Sequence, residues 1–246
     1  MPKKRRRYSF LLVFFIVVAL IIAFVLSSGL FFKVKEILVE GTAAYTEQEV
    51  AALSGIHSGD NIFLINKISA ARSILAKLPY IKKVRISRDL PGTVIIHLTE
   101  SAPAGMIENR GLYWLFDTQG TLLESVAVLT PPKLPVVRGV TLSSPLSGDE
   151  INFPDEHKAK REPMLELLRA LQTHELWEGV SDVDVTQLSN LRFTHEVCKV
   201  ELGTPDMIER KLQTMVLALE QIEGPGTLYL APVADGQPSR FVPDAR

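Results

Sequence analysis

Cysteine is nearly absent from this chain. Cys198 is the single thiol in 246 residues, so no intramolecular disulfide can staple the fold. It falls among apolar residues of an expected strand, where a thiol is buried and inert rather than activated. Catalytic signatures are missing as well. No GxSxG, SxxK, GxxxxGK[ST], GxGxxG or HExxH pattern occurs, which removes the motif basis for hydrolase, transpeptidase, nucleotide or metalloprotease chemistry. Charge is absent over one long interval: from Tyr8 to Phe32 there is no Asp, Glu, Lys or Arg.

That interval is the first positive feature. Phe10 to Leu26 is apolar throughout, and at about 1.5 Å per residue the uncharged run reaches roughly 37 Å, enough for a hydrocarbon core of about 30 Å. Residues 10–32 are therefore expected to form one transmembrane helix. Lys3, Lys4, Arg5, Arg6 and Arg7 precede it, so residues 1–9 form a basic tail that the positive-inside rule keeps in the cytoplasm. The remainder carries a net −6 against −1 for the whole chain and faces outward. A cleaved signal peptide, with Ser27 and Gly29 as small residues at the cut, is the competing reading; the usual signal core of about 7–15 residues is shorter than this run.

With 46% apolar residues, the outward part has ample material for packed cores. VKEILVE (34–40) reads as a strand closed by Gly41. Thr46-Glu47-Gln48-Glu49 has the form of a capping box and opens a helix ended by Gly55, with Val50 and Leu53 facing one way. A second helix starts near Asn66 and stops at Pro79; Ile68, Ala71, Leu75 and Leu78 lie at helical spacing as its apolar stripe. Val84 and Ile86, then Val94, Ile96 and Leu98, alternate with polar or outward residues as two strands. Pro91-Gly92 between them fits the centre of a type II turn. The order strand, helix, helix, strand, strand implies a small sheet backed by two helices.

This order, carried by FKVKEILVEG (32–41), GIHSGDNIFLIN (55–66), LPYIKKVRISRDLPGTVIIHLTE (78–100) and the SAPAG that follows, resembles the POTRA module of the FtsQ/DivIB family of bacterial cell-division proteins. Gly41-Thr42 stands where the family usually has Gly-Asn, and Ser101-Ala102-Pro103 where it has Arg-x-Pro. The resemblance continues in LYWLFDTQGTLLES (112–125), read as a hairpin turning at Asp117 to Gly120, and in the strand LPVVRGV (134–140). A helix over Glu162 to Leu171 buries Met164, Leu167, Leu168 and Leu171. Strands VSDVDV (180–185), LRFTH (191–195) and VCKVEL (197–202) follow, and Thr204-Pro205 is expected to cap and open a helix with Ile208, Leu212, Met215, Val216 and Leu219 on one face. Thr227 to Leu230 is the expected final strand.

The expected class is α+β: a transmembrane helix, a POTRA domain over 33–103, a second mixed β-sheet domain over 104–232, and a flexible tail over 233–246. The resemblance implies a bitopic, non-enzymatic divisome scaffold at the septal plasma membrane. It would bind partners similar to FtsB/DivIC and FtsL and help recruit or regulate septal peptidoglycan synthesis. Its terminal strand would receive a partner strand; here that strand is Leu228-Tyr229-Leu230, with Lys211 on the preceding helix as a charged contact. Family members usually have Asp where Tyr229 stands. A membrane-anchored envelope enzyme and a POTRA-type transport or assembly component are the alternatives.

Residue chemistry favours the scaffold. The histidines at 57, 97, 157, 174 and 195 are scattered without ligand spacing, so no metal and no other cofactor is expected. Asp182 and Asp184 share one face of an alternating strand opposite Val183 and Val185, as a solvated face does. Lys82, Lys83, Arg85 and Arg88 read as a solvated strand face that can touch anionic polymer or lipid headgroups, and neither nucleic acid nor a small-molecule substrate is expected.

Overall fold

The computed structural model describes residues 12–20, 31–127, 134–222, 224–230 and 239–244. Residues 12–20 are helical, but no helix among the described residues is long and apolar enough to cross a membrane. The rest of the expected 10–32 span, apart from Phe31 and Phe32, lies outside the described residues. From Phe31 onward the chain forms two compact α+β units, divided between Glu100 and Ser101.

The first unit is a three-stranded sheet in the order β1-β3-β2: β1 (Glu36–Glu40) runs parallel to β3 (Thr93–Glu100), and β2 (Ile81–Asp89) antiparallel to it. Two helices, Glu47–Ser54 and Lys67–Lys77, lie between β1 and β2 in sequence. Thr46 and Glu49 form the expected capping box, each satisfying a backbone N–H of the other's turn, and Gly55 ends the helix in the left-handed region. Asn66 caps the second helix by accepting from the Ser69 amide at 3.0 Å.

Two expectations for this unit are overturned. The buried face of the Lys67–Lys77 helix is Ala70 and Ile74, continued by Leu78, whereas Ile68 is 67% exposed and Leu75 39%. Two stripes at spacings of three and four overlap in ISAARSILAKL, and the sheet selects the one its surface can receive. The turn after β2 is not type II either, since Leu90–Pro91 is cis and Gly92 has no positive φ. Gly92 is required for a different reason: a Cβ there would stand 2.8 Å from the Lys33 carbonyl oxygen, in the space where the Gly92 carbonyl accepts from the Lys35 amide.

Among the described residues, the second unit has one nine-stranded sheet, ordered β12-β11-β10-β9-β8-β7-β4-β5-β6. Its strands are β4 (Pro103–Asn109), β5 (Leu112–Asp117), β6 (Leu122–Val126), β7 (Val136–Arg138), β8 (Val180–Asp184), β9 (Leu191–His195), β10 (Cys198–Gly203), β11 (Gly226–Tyr229) and β12 (Arg240–Pro243). The SAPAG segment thus opens β4 within this unit. The Arg161–Thr173 helix buries Met164, Leu165, Leu167, Leu168 and Leu171 into the same core as Val183, Phe193 and Val200 of the sheet. At roughly 2 kcal/mol per fully buried large aliphatic side chain, this packing far outweighs intrinsic helix propensity.

The Asp117–Gly120 turn forms as expected, and Asp117 organises it. Its carboxylate is buried, accepts from the Gln119 amide at 2.9 Å and the Thr121 amide at 2.8 Å, and also accepts the Ser101 hydroxyl. Thr204-Pro205 does not open the next helix, which spans Ile208–Leu219 and follows Met207 in a left-handed conformation. Its Ile208, Leu212 and Met215 are buried as anticipated. The C-terminal region also departs from expectation: residues 240–243 form β12 rather than a flexible tail, while 231–238, 245 and 246 lie outside the described residues.

Candidate partner-binding edge

β11 follows directly from its sequence. Leu228 and, just past its end, Leu230 turn into the core at 1% and 4% exposure, and Tyr229 faces the other way. β10 flanks β11 in parallel register, with Val200 opposite Leu228 and Glu201 opposite Tyr229. The Leu230 amide donates to the Glu201 carbonyl at 3.0 Å, so the backbone groups of the even-numbered residues point toward β10. Those of Thr227 and Tyr229 therefore point the opposite way. They do not meet solvent, because β12 lies there, with Thr227 opposite Val242, Leu228 opposite Phe241, and Tyr229 opposite Arg240.

Leu228 and Tyr229 consequently belong to an interior strand, with Leu230 just past its end, and β12 is the end strand on this side of the sheet among the described residues, β6 being the other end. RFVP carries little strand signal in the sequence, being short, without clean alternation and ending in proline. Its signal is the aromatic and β-branched pair Phe241-Val242. Two side chains fix it. The Arg240 guanidinium lies 5.0 Å from the Tyr229 ring centroid, a cation–π contact. Phe241 is partly buried against the core, and its ring occupies the space that a side chain at Gly226 would need.

Register determines which groups β12 presents outward. The Asp244 amide donates to the Pro225 carbonyl at 3.1 Å, which makes 225/244 a hydrogen-bonded pair. Because antiparallel pairs alternate, 227/242 and 229/240 are bonded pairs too, and the backbone groups of Phe241 and Pro243 face away from β11. Pro243 has no N–H to offer, a common way of shortening an exposed edge. The outward set is thus the Phe241 amide with the Phe241 and Pro243 carbonyls.

Lys211 sits elsewhere in this unit than a surface contact requires. It is 2% exposed and donates from Nζ to the Thr204 carbonyl at 2.7 Å; burial lowers the amine's pKa, and Asp206 partly offsets this. It ties the 204–207 turn to the helix. Cys198 is 4% exposed, its thiol pKa raised chiefly by burial. Asp182 and Asp184 do share a face, where Asp184 pairs with Arg192 at 3.1 Å and accepts from the Thr186 amide, while Val183 and Val185 are fully buried behind them. Among the described residues, no group of three or more His, Cys, Asp or Glu side chains could hold a metal ion. A cleft of about 520 Å³ in the first unit has Asp60 as its one ionisable lining residue, and that carboxylate accepts from the His57 amide.

Comparison with known proteins places this architecture. Residues 32–101 match the model of the POTRA domain, FtsQ-type. The chain is 29% identical to the cell division protein DivIB of Clostridium acetobutylicum over 189 residues, covering 76% of this chain and 73% of that protein. It belongs to the FtsQ/DivIB family. The similarity extends beyond the POTRA domain: the Clostridium botulinum DivIB is 28% identical over 227 residues, covering 90% of this chain and 85% of that protein. The FtsQ of Geotalea daltonii is 24% identical over 218 residues, covering 81% and 74%.

Proposed function

We propose that this FtsQ/DivIB chain acts in bacterial cell division as a non-catalytic scaffold, anchored in the plasma membrane at the septum by a single span over 10–32 with its N-terminus cytoplasmic. Its outward units bind partners resembling FtsB/DivIC and FtsL and so help recruit or regulate septal peptidoglycan synthesis. The cell-division names of its relatives support the setting. The observation that carries the binding mode is the β12 end of the nine-stranded sheet. β12 presents an outward amide and two carbonyls, and a partner segment that adds a strand there gains backbone hydrogen bonds without requiring a particular side chain. This moves the docking strand from Leu228-Tyr229-Leu230 to Arg240–Pro243, with Tyr229 holding Arg240 from behind.

The test uses the full chain in nanodiscs, titrated calorimetrically with the outward segments of the same organism's FtsB/DivIC-like and FtsL-like proteins, with residue-resolved amide exchange before and after. Strand addition slows exchange at Phe241 and leaves Arg240 and Val242, already bonded inward, unchanged. If Arg240 and Val242 instead lose protection while Thr227 and Tyr229 keep theirs, the partner has replaced β12 and docks on β11. No heat with either partner, singly or together, refutes the scaffold reading.

A further inference from the structure

One end of the first unit gathers apolar side chains that stay exposed among the described residues. Three segments converge there. Phe32 ends the uncharged run, and its ring lies 5.1 Å from that of Phe63; the Ile62 amide donates to the Phe32 carbonyl at 2.9 Å and Lys33 bridges to Asn61. The 90–92 loop closes against Lys33 and Lys35 through Gly92. Arg88, at the end of β2, donates to the Phe63 and Ile65 carbonyls at 3.3 and 3.1 Å. The tips of these segments are apolar and open: Leu64 is 82% exposed, Phe31 71%, Leu90 53% and Phe63 49%. Ile68, which the helix turns away from the core, is 67% exposed four residues on from Leu64.

We infer that this end of the POTRA domain docks on the bilayer surface, with Phe63, Leu64 and Leu90 immersed at the headgroup boundary. The inference rests on the proposed membrane span. If the run ending at Phe32 crosses a bilayer, Phe32 stands at its boundary, and a side chain in ring contact with Phe32 cannot be more than a few ångströms from that boundary. Amphipathic surfaces bury their apolar side about 5–10 Å into this zone, and aromatic side chains favour it. The basic residues suit an anionic surface. Lys67 and Arg88 are close enough that, after partial burial, the Arg88 charge further lowers the Lys67 pKa. A negative surface relieves that repulsion. The acidic groups at this end are Asp60, whose carboxylate accepts from the His57 amide, Asp89 beside Leu90, and Glu36, whose amide donates to the Gly92 carbonyl, against the basic residues Lys33, Lys35, Lys67 and Arg88.

Nitroxide labelling of the full chain tests this, on a Cys198→Ala background, in nanodiscs of phosphatidylcholine containing phosphatidylglycerol. Labels go on Leu64→Cys, on Ile16→Cys within the uncharged run, and on Lys82→Cys, which is exposed six residues along β2 from Arg88, or about 20 Å away. Circular dichroism checks each labelled protein against the unlabelled one. Docking gives position 64 an oxygen-to-nickel accessibility ratio several-fold above that at 82 and closer to that at 16. A ratio at 64 equal to that at 82, with 16 lipid-like, overturns the docking and leaves the membrane span standing. Water-like values at 16 as well overturn both.

Discussion

Gly226→Ala is the sharpest test of how the sheet's end is held. A Cβ at this position meets the Phe241 ring and lies 2.6 Å from the Val242 carbonyl oxygen, about 0.8 Å inside ordinary van der Waals contact. The ring can swing, but the carbonyl belongs to β12 itself, so relief requires β12 to shift away from β11. Overpacking of this kind costs about 1–3 kcal/mol. β12 is held docked by backbone hydrogen bonds to β11, by the partly buried Phe241 ring and by the Arg240–Tyr229 contact. A cost of that size, taken wholly from the docking of this strand, raises its open fraction by about ten- to a hundred-fold. Amide exchange at Arg240 and Val242 accelerates by that factor, while the urea midpoint of the second unit barely moves, because the core cluster around the Arg161–Thr173 helix is untouched. Unchanged exchange at Arg240 and Val242 would refute the claim that Phe241 over Gly226 anchors the strand.

Two further outcomes follow from the buried and hydrogen-bonded carboxylates. Asp117→Ala strands the buried Ser101 hydroxyl and frees two turn amides, so it destabilises the second unit by about 3 kcal/mol in urea unfolding; Asp117→Asn keeps an acceptor for the amides and costs about 1 kcal/mol. Glu100 accepts from the Thr42 hydroxyl at 2.6 Å and from the Ala43 and Ala44 amides at 2.7 and 2.8 Å, and the Thr42 bond leads in lowering its pKa. Because the folded pKa lies below the unfolded one, this stabilisation is complete above the ordinary carboxylate range and fades as pH falls through the folded value. Protection factors at Ala43 and Ala44 should fall in acid, and Glu100→Gln should flatten that dependence.

Local chemistry explains where the sequence sufficed. Thr46 and Glu49 satisfy each other's backbone within four residues, and Asp117 closes its turn with its own carboxylate. The Arg161–Thr173 helix has apolar residues concentrated on one stripe, so a single orientation buries them. Where two solutions competed locally, the fold decided. ISAARSILAKL offers two stripes, and the three-stranded sheet takes Ala70 and Ile74, leaving Ile68 outside. Pro91-Gly92 suits a type II turn in isolation, but the approach of Lys33 and Lys35 sets a different one.

The candidate edge shows the same division. The sequence by itself determined that Leu228 and Leu230 share one face of a strand and Tyr229 the other, because alternation is a property of the strand alone; the structure put the leucine face in the core. It also determined the family, through motifs spread along the chain. Only the tertiary structure decided that RFVP becomes β12, that Lys211 is buried beneath the 204–207 turn, and that the free backbone edge moves to Phe241 and Pro243. A four-residue strand with a proline is too weak to form without a partner. It exists because β11 offers the hydrogen bonds and Gly226 leaves room for Phe241, and neither condition is local to residues 240–243.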